Sequence, residues 1–355
     1  MSAINRLIEK TAKWLSASGE EQEMVLSSRI RLARNLDSRP FTNNASPEEL
    51  KEVKEEVEKA ALKCPLMKEA LNIDIAELDE IDRTILVERH LISHEMAQMH
   101  HPRSLVVQQD ERLSVMINEE DHMRIQAIEP GLSVERAFKK IDKLDNELDK
   151  NLNYAFSEKF GYLTACPTNV GTGLRVSVMV HLPGLVHNKD IGRVIDGLRN
   201  MRLTVRGIYG EGSEFMGNLF QISNSITLGL SEKDTVSNLE AHVRKVLDFE
   251  RKAREVLLNK ARTLLEDKIW RAYGILKSAR LLSSKEAMSL MSAVRLGIGL
   301  GMITNISLPV LNELLIMIRP MHLQKLHGRM MTPEERDRVR ADFIRARLDK
   351  RSRKA

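Results

Sequence analysis

Residues 24–36, MVLSSRIRLARNL, decide how the rest of the chain is read. The stretch opens with aliphatic and β-branched residues, then alternates arginine with apolar residues: Arg29, Ile30, Arg31, Leu32. A period of two predicts a strand. In a strand Arg29 and Arg31 share one face, while Ile30 and Leu32 share the other. Guanidinium groups lined up on one side of a sheet, with the core on the other, fit phosphate oxygens bidentately. A solvated arginine face on an edge strand explains this stretch equally well when it is taken alone.

Outward from it the chain predicts an α+β fold. Residues 1–18 read as one amphipathic helix with Ile4, Leu7, Ile8, Ala12 and Leu15 on one side. Ser46-Pro47-Glu48-Glu49 is a helix start, with Ser46 as N-cap and Glu49 three residues on, and the helix runs to about Leu62. Between 84 and 130 the runs TILVERHLIS, SLVVQQ, RLSVMIN and HMRIQAI are short, β-rich and separated by polar turns, which predicts strands. A helix from Ser133 to about Leu152 follows, and another spans about 187–201. Around the latter, LRVSVMVHL, RLTVRGIYG and NLFQISNSITLGL are strand-like. Hairpin-length spacings favour an antiparallel sheet flanked by helices. From Ser231 onward nearly everything is helical, ending in a helix with Thr332 as N-cap and Pro333 at its first position. The expected division is a helical segment over 1–23, an α+β domain over 24–250 and an all-α domain over 251–355.

Composition excludes several classes. Among 355 residues, 42% hydrophobic and 30% charged is the balance of a soluble globular protein. No apolar run approaches the roughly 18 residues of a membrane span, and the N-terminus has no signal-peptide core. Two cysteines, Cys64 and Cys166, build neither a disulfide framework nor a four-cysteine zinc site, so a cytoplasmic protein is expected. The net charge is +5, but residues 331–355 hold nine Lys/Arg against five Asp/Glu. The basic balance is therefore a tail rather than a face, and with 4% aromatics no direct nucleic-acid partner is expected. Neither G-x-x-x-x-G-K-[ST] nor G-x-G-x-x-G occurs. His94-Glu95-Met96-Ala97-Gln98 lacks the second histidine of a zinc helix. His94, His100 and His101 are the remaining metal candidates, and no metal site is expected.

Two acidic segments stand against the arginines. Asn118-Glu119-Glu120-Asp121-His122 sets three carboxylates between apolar runs, with Arg124 two residues on. A solvated turn explains most such charge runs. Wedged between core strands, however, these carboxylates cost desolvation unless they meet a cation. Arg206-Gly207-Ile208-Tyr209-Gly210-Glu211-Gly212-Ser213-Glu214 brackets Glu211 with three glycines, either a plain turn or a loop able to approach a ligand closely.

Four segments in this order resemble the phosphagen kinases, the creatine and arginine kinase family of ATP:guanido phosphotransferases. They are Ser27-Ser28-Arg29-Ile30-Arg31, Asn118–Arg124, Cys166-Pro167-Thr168-Asn169-Val170-Gly171-Thr172-Gly173-Leu174-Arg175 and Arg206–Glu211. The resemblance covers about residues 24–250. It implies that Glu120 and Glu211 handle the guanidinium, with Glu119 beside them. The same resemblance implies ATP contacts at Ser27, Ser28, Arg29, Ile30, Arg31, His90, Arg124, Arg175, Val176, Ser177, Val178, Met179 and Arg206, Gly207, Ile208, Tyr209, Gly210 and Glu211. Cys166 matches the family's substrate-site cysteine, and Mg²⁺ is expected to arrive with ATP. The family carries a helical domain before its first arginine motif. Here that motif starts at residue 27, so this domain is expected to be absent and helices follow the catalytic part instead. That arrangement is similar to the protein arginine kinase branch, and Arg336-Asp337-Arg338-Val339-Arg340-Ala341 matches that branch's RDxxRA phosphoarginine-binding motif. The branch implies phosphorylation of arginines on proteins in the stress response. It also implies a homodimer, an activator protein, a heat-shock repressor as substrate and the ClpC–ClpP degradation machinery as partners. A kinase of free guanidino compounds and an inactive phosphoarginine-binding adaptor are the alternatives.

Overall fold

The alternating stretch becomes the middle of the molecule. In the computed structural model, which describes residues 2–207 and 215–352, the strands are β1 (Val25–Arg34), β2 (Leu71–Asp74), β3 (Ser104–Val107), β4 (Leu113–Ile117), β5 (Met123–Pro130), β6 (Phe156–Ser157), β7 (Gly161–Tyr162), β8 (Leu174–His181), β9 (Leu203–Arg206) and β10 (Leu219–Asn224). The helices are α1 (Ala3–Glu9), α2 (Pro47–Lys63), α3 (Glu80–Glu88), α4 (His94–Gln98), α5 (Val134–Asp149), α6 (Pro183–His187), α7 (Ile191–Asn200), α8 (Glu232–Ser278), α9 (Ser284–Gly299), α10 (Leu308–Met317), α11 (Pro320–His327) and α12 (Pro333–Ser352). Eight strands form one antiparallel sheet in the order β2-β3-β4-β5-β1-β8-β10-β9. The β6–β7 hairpin stands apart.

Strand β1 pairs with β5 on one side and β8 on the other, so Gln126, Arg31 and Arg175 lie in one row across three strands. Its other face is the core. Ile30 and Leu32 join Ile125, Val176 and Val178 from the neighbouring strands, under Val53 and Val57 of α2, Ile141 and Leu144 of α5, and Leu239, Val243 and Val246 of α8. Helix α8 is interrupted by non-helical Ala261. Beyond it, Leu265, Ile269 and Leu276 join a second core with Met288, Met291, Leu311, Leu314 and Ile344. Gly173, at φ +62, lets the chain enter β8 against β1, since a Cβ there would lie 2.6 Å from the Ala33 carbonyl oxygen.

Two sequence expectations change. Residues 84–93 were expected as a strand, but 80–88 form α3. The Asp79 side chain accepts from Asp82 N at 2.7 Å, and Glu80 and Asp82 sit in the first turn. Cap and dipole outweigh the β-branched run, and the helix still buries Ile85 and Leu86. The single helix over 1–18 is instead α1 plus a 3-10 turn at Lys13–Leu15. The Lys10 carbonyl accepts from Arg89 Nη2 (3.1 Å) and Lys13 N donates to the Asp110 carbonyl (3.1 Å), so tertiary bonds replace helical ones.

Ile30 is 0% exposed at the centre of this core. Ile30→Ala is expected to cost about 2–5 kcal/mol in urea unfolding. A loss near zero would place the core elsewhere.

Candidate active site

The polar face of the sheet opens into a cleft of about 1090 Å³, lined by Arg29, Arg31, Arg124, Arg175, Arg206, His90, Glu119, Glu120 and Cys166. Residues from five separate segments of the sequence thus meet in one place. Arg29 and Arg31 come from β1, Arg124 from β5, Arg175 from β8 and Arg206 from the end of β9. Strand pairing fixes their spacing. Gln126, beside Arg31, accepts from Arg29 Nε at 2.6 Å and donates to the His90 carbonyl at 3.1 Å. Arg31 Nε is buried with no hydrogen-bond acceptor among the described residues, a donor suited to an incoming anion.

Crowded cations in a partly dry cleft disfavour their own charge. Burial first, and then Arg124, bring the Arg29 guanidinium down to about 10, with Glu119 opposing. Burial, followed by Arg29, Arg124 and Arg175, lowers Arg31. Arg29, at about 10, therefore remains cationic at neutral pH. His90, at φ +61, has its imidazole lowered to about 3 by burial and then by Arg29.

The acidic turn faces these arginines. Glu119 is tucked in, its side chain 3% exposed, and both its oxygens approach Arg124 Nη1, at 2.8 and 2.6 Å. Glu120 is 41% exposed, and its Oε2 accepts from Arg124 Nη2 (2.9 Å) and Asn169 Nδ2 (3.3 Å). Thr42 Oγ1 donates to the Glu120 carbonyl. Below, Asp121 Oδ1 accepts from Asn35 Nδ2 and from Ala165 N, both at 2.7 Å, which joins the turn to the loop carrying Cys166. His122 accepts from Leu36 N at Nδ1 (3.0 Å) and donates from Nε2 to the Pro40 carbonyl (2.9 Å), so a neutral ring anchors the turn. Cys166 Sγ lies 3.0 Å from Thr168 Oγ1.

Other expected contacts fall elsewhere. Ile30, Val176 and Val178 point into the core. Ser28 Oγ donates to the Gly131 carbonyl and accepts from Ser133 N, both at 2.9 Å. Ser27, Ser177 and Met179 line a smaller cavity that shares Arg29, His90 and Gln221 with the cleft and is closed by Trp14, Leu315 and Ile316. Gly207 is buried beyond β9. Ile208, Tyr209, Gly210 and Glu211 lie outside the described residues. The 336–341 segment sits on α12 and does not line the cleft. There Arg340 is buried, donating to the Ile318 (3.1 Å) and Leu282 (2.8 Å) carbonyls and pairing with Asp337. Arg336 donates to the Met331 carbonyl (2.8 Å), Arg338 is exposed, Val339 is half-buried and Ala341 is in the helical core. Gln126, Asn35 and Thr42 were not singled out in the sequence, and Asn169 appeared there only as part of the 166–175 segment. Only Gln126 carries a signal there, sharing the period-two face with Arg124.

Family models match two stretches: ATP:guanido phosphotransferase, C-terminal catalytic domain, over residues 52–253, and Protein-arginine kinase McsB C-terminal domain over residues 262–355. The chain is 45% identical to a protein-arginine kinase of Halothermothrix orenii over 98% of this chain and 100% of the relative. It is 47% identical to one of Geobacillus stearothermophilus over 94% of this chain and 93% of the relative. Among solved structures, lombricine kinase superposes with a TM-score of 0.58 at 25% identity, over 70% of this chain and 75% of that one. The duplicated taurocyamine kinase of Schistosoma mansoni with bound transition state analog components gives 0.60 at 26%, over 76% of this chain and 39% of that one.

The depressed His90 carries a stability consequence. An unfolded histidine takes its proton near 6.5, whereas this one takes it near 3. The unfolded chain therefore binds the extra proton, and His90's contribution to stability declines as pH falls below about 6.5. Imidazole NMR is expected to show His90 neutral from pH 8 down to pH 5; a midpoint near 6.5 would contradict the burial described.

Proposed function

The chain belongs to the ATP:guanido phosphotransferase family, within the protein-arginine kinases, and on that premise we propose that it transfers the terminal phosphoryl group of ATP to arginine side chains of proteins. The observation that carries this reading is the convergence of Arg29, Arg31, Arg124 and Arg175 on the Glu119–Glu120 turn in one cleft.

The chemistry needs that pairing. A target guanidinium is protonated at neutral pH and nucleophilic only as its proton leaves. Glu120, exposed to the cleft, is read as the carboxylate that orients the planar fork and takes that proton, as general-base catalysis requires. Glu119, buried on Arg124, is read as the residue that holds this arginine in place. Glu211 is proposed as the second carboxylate. The P–O bond to the terminal phosphorus of ATP breaks, a P–N bond to the target nitrogen forms, ADP leaves and the proton passes to Glu120. The arginine array spreads the charge of the loose transition state. Mg²⁺ is read as arriving on the ATP phosphates, since it needs few protein ligands there, and it would neutralise phosphate charge. The neutral His90, Arg175, Arg206 and the 208–211 segment are proposed nucleotide contacts, and Cys166 a contact at the acceptor side. Cys166 is not read as a nucleophile, because the transfer needs no covalent enzyme intermediate.

The reading divides the chain at 1–23, 24–250 and 251–355, with Arg336, Asp337 and Arg340 as a phosphoarginine pocket. It extends to a cytoplasmic homodimer that marks proteins for ClpC–ClpP under stress, with an activator protein and a heat-shock repressor as substrate. What supports these is the family resemblance. Among the described residues no helix is long and apolar enough to cross a membrane.

The test offers the full chain Mg-ATP with an unstructured arginine-bearing protein or with free arginine. Acid-labile phosphate is expected on protein arginines, located by mass spectrometry at neutral pH. Transfer to free arginine alone would point to a small-guanidino kinase. Glu120→Gln is expected to lower kcat about 10²–10⁴-fold with little change in KM for ATP, and unchanged kcat would remove Glu120 as the base.

A further inference from the structure

Three consecutive residues at the end of α3 tie the cleft to the C-terminal helices. Glu88 accepts from Met321 N (3.0 Å) and His322 N (3.2 Å) at the start of α11, and its Oε2 lies 2.7 Å from His322 Nδ1. Arg89, buried against Glu111, has Nη1 3.3 Å from His322 Nε2. A neutral His322, donating from Nδ1 and accepting at Nε2, satisfies both neighbours at once. His90 then turns into the left-handed region, and its carbonyl accepts from Gln126 Nε2, while Gln126 Oε1 accepts from Arg29 Nε. A second observation points the same way. The small cavity that shares Arg29 and His90 with the cleft is closed by Leu315 and Ile316 of α10, so the C-terminal helices also pack next to these two residues.

We propose that Glu88 and His322 are positioning residues for nucleotide binding: by fastening α3 to α11 they set His90, and through Gln126 also Arg29, in the geometry that grips ATP. This rests on reading the cleft as the nucleotide site. Neither residue touches the nucleotide. A loosened anchor weakens the grip on ATP while leaving the acceptor side, built from the 118–122 turn and the 166–171 loop, as it is.

The experiment measures ATP affinity by calorimetry, and KM values for ATP and for a protein substrate, on the full chain. Glu88→Gln and His322→Phe are expected to raise Kd and KM for ATP about tenfold, within the usual range of coupling between sites, without changing KM for the protein. His322→Asn, which keeps a donor near Glu88 and drops the acceptor for Arg89, is expected to fall between them and wild type. The Asp82–Lys325 bridge (2.6 Å) joins the same two helices away from His90. Asp82→Asn is therefore expected to lower Tm without moving Kd for ATP. Should Glu88→Gln and His322→Phe lower Tm yet bind ATP like wild type, the contact is structural packing and the inference is overturned. A loss in Asp82→Asn equal to theirs would also overturn it, as a general effect of loosening. Wild-type chain that binds no ATP would instead bring down the nucleotide reading beneath it.

Discussion

Everything in the cleft depends on holding like charges side by side. Arg31 and Arg175 are direct cross-strand neighbours, Arg29 is two residues along the same face, and Arg124 closes in from β5. Such an array repels itself. Burial first, and then this mutual repulsion, lowers Arg29 and Arg31. The array persists because β1 is the central strand of an eight-stranded sheet, its other face locked into the main core. Burial on one side offsets the cost of repulsion on the other. The buried Arg31 Nε with no acceptor among the described residues shows where the cost is left standing. A multiply charged anion relieves that repulsion and finds its donors already in place, which is the sense in which the site is preorganised.

The acidic turn solves the converse problem. Two adjacent carboxylates facing one cleft divide their work by burial. Glu119 is closed off on Arg124, and Glu120 stays open to the cleft. Asp121 and His122 spend their bonding on Asn35, Ala165, Leu36 and Pro40, so the turn cannot drift relative to the Cys166 loop. On the proposed reading, a guanidinium entering between Glu120 and that loop would meet a carboxylate on a turn fixed by buried partners.

Much of this is legible in the sequence. The period-two pattern of 29–32 placed two arginines on one face, and the Ser46 capping box formed as its spacing implied. Long 3.6-period runs gave the C-terminal helices. The failures have physical causes. In 84–93 the β-branched run outweighed Asp79 as a signal, although the cap and the first-turn acids govern that segment. The break after α1 depends on Arg89 and Asp110, neither local to it. Gln126, Asn35 and the Glu88–His322 contact are defined by partners tens to hundreds of residues away, which no local pattern encodes. Family resemblance named Ile30, Val176 and Val178 within contiguous contact stretches, but strand alternation sends their side chains to the core.

The central claim is that the arginine face of the sheet is a phosphate clamp. The most direct measurement is calorimetric affinity for AMP, ADP and ATP, in the wild-type chain and in Arg31→Ala. The account predicts affinity that climbs with each added phosphate in the wild type and a much flatter series in the variant. AMP bound as tightly as ATP, or a series unchanged by loss of Arg31, would contradict it.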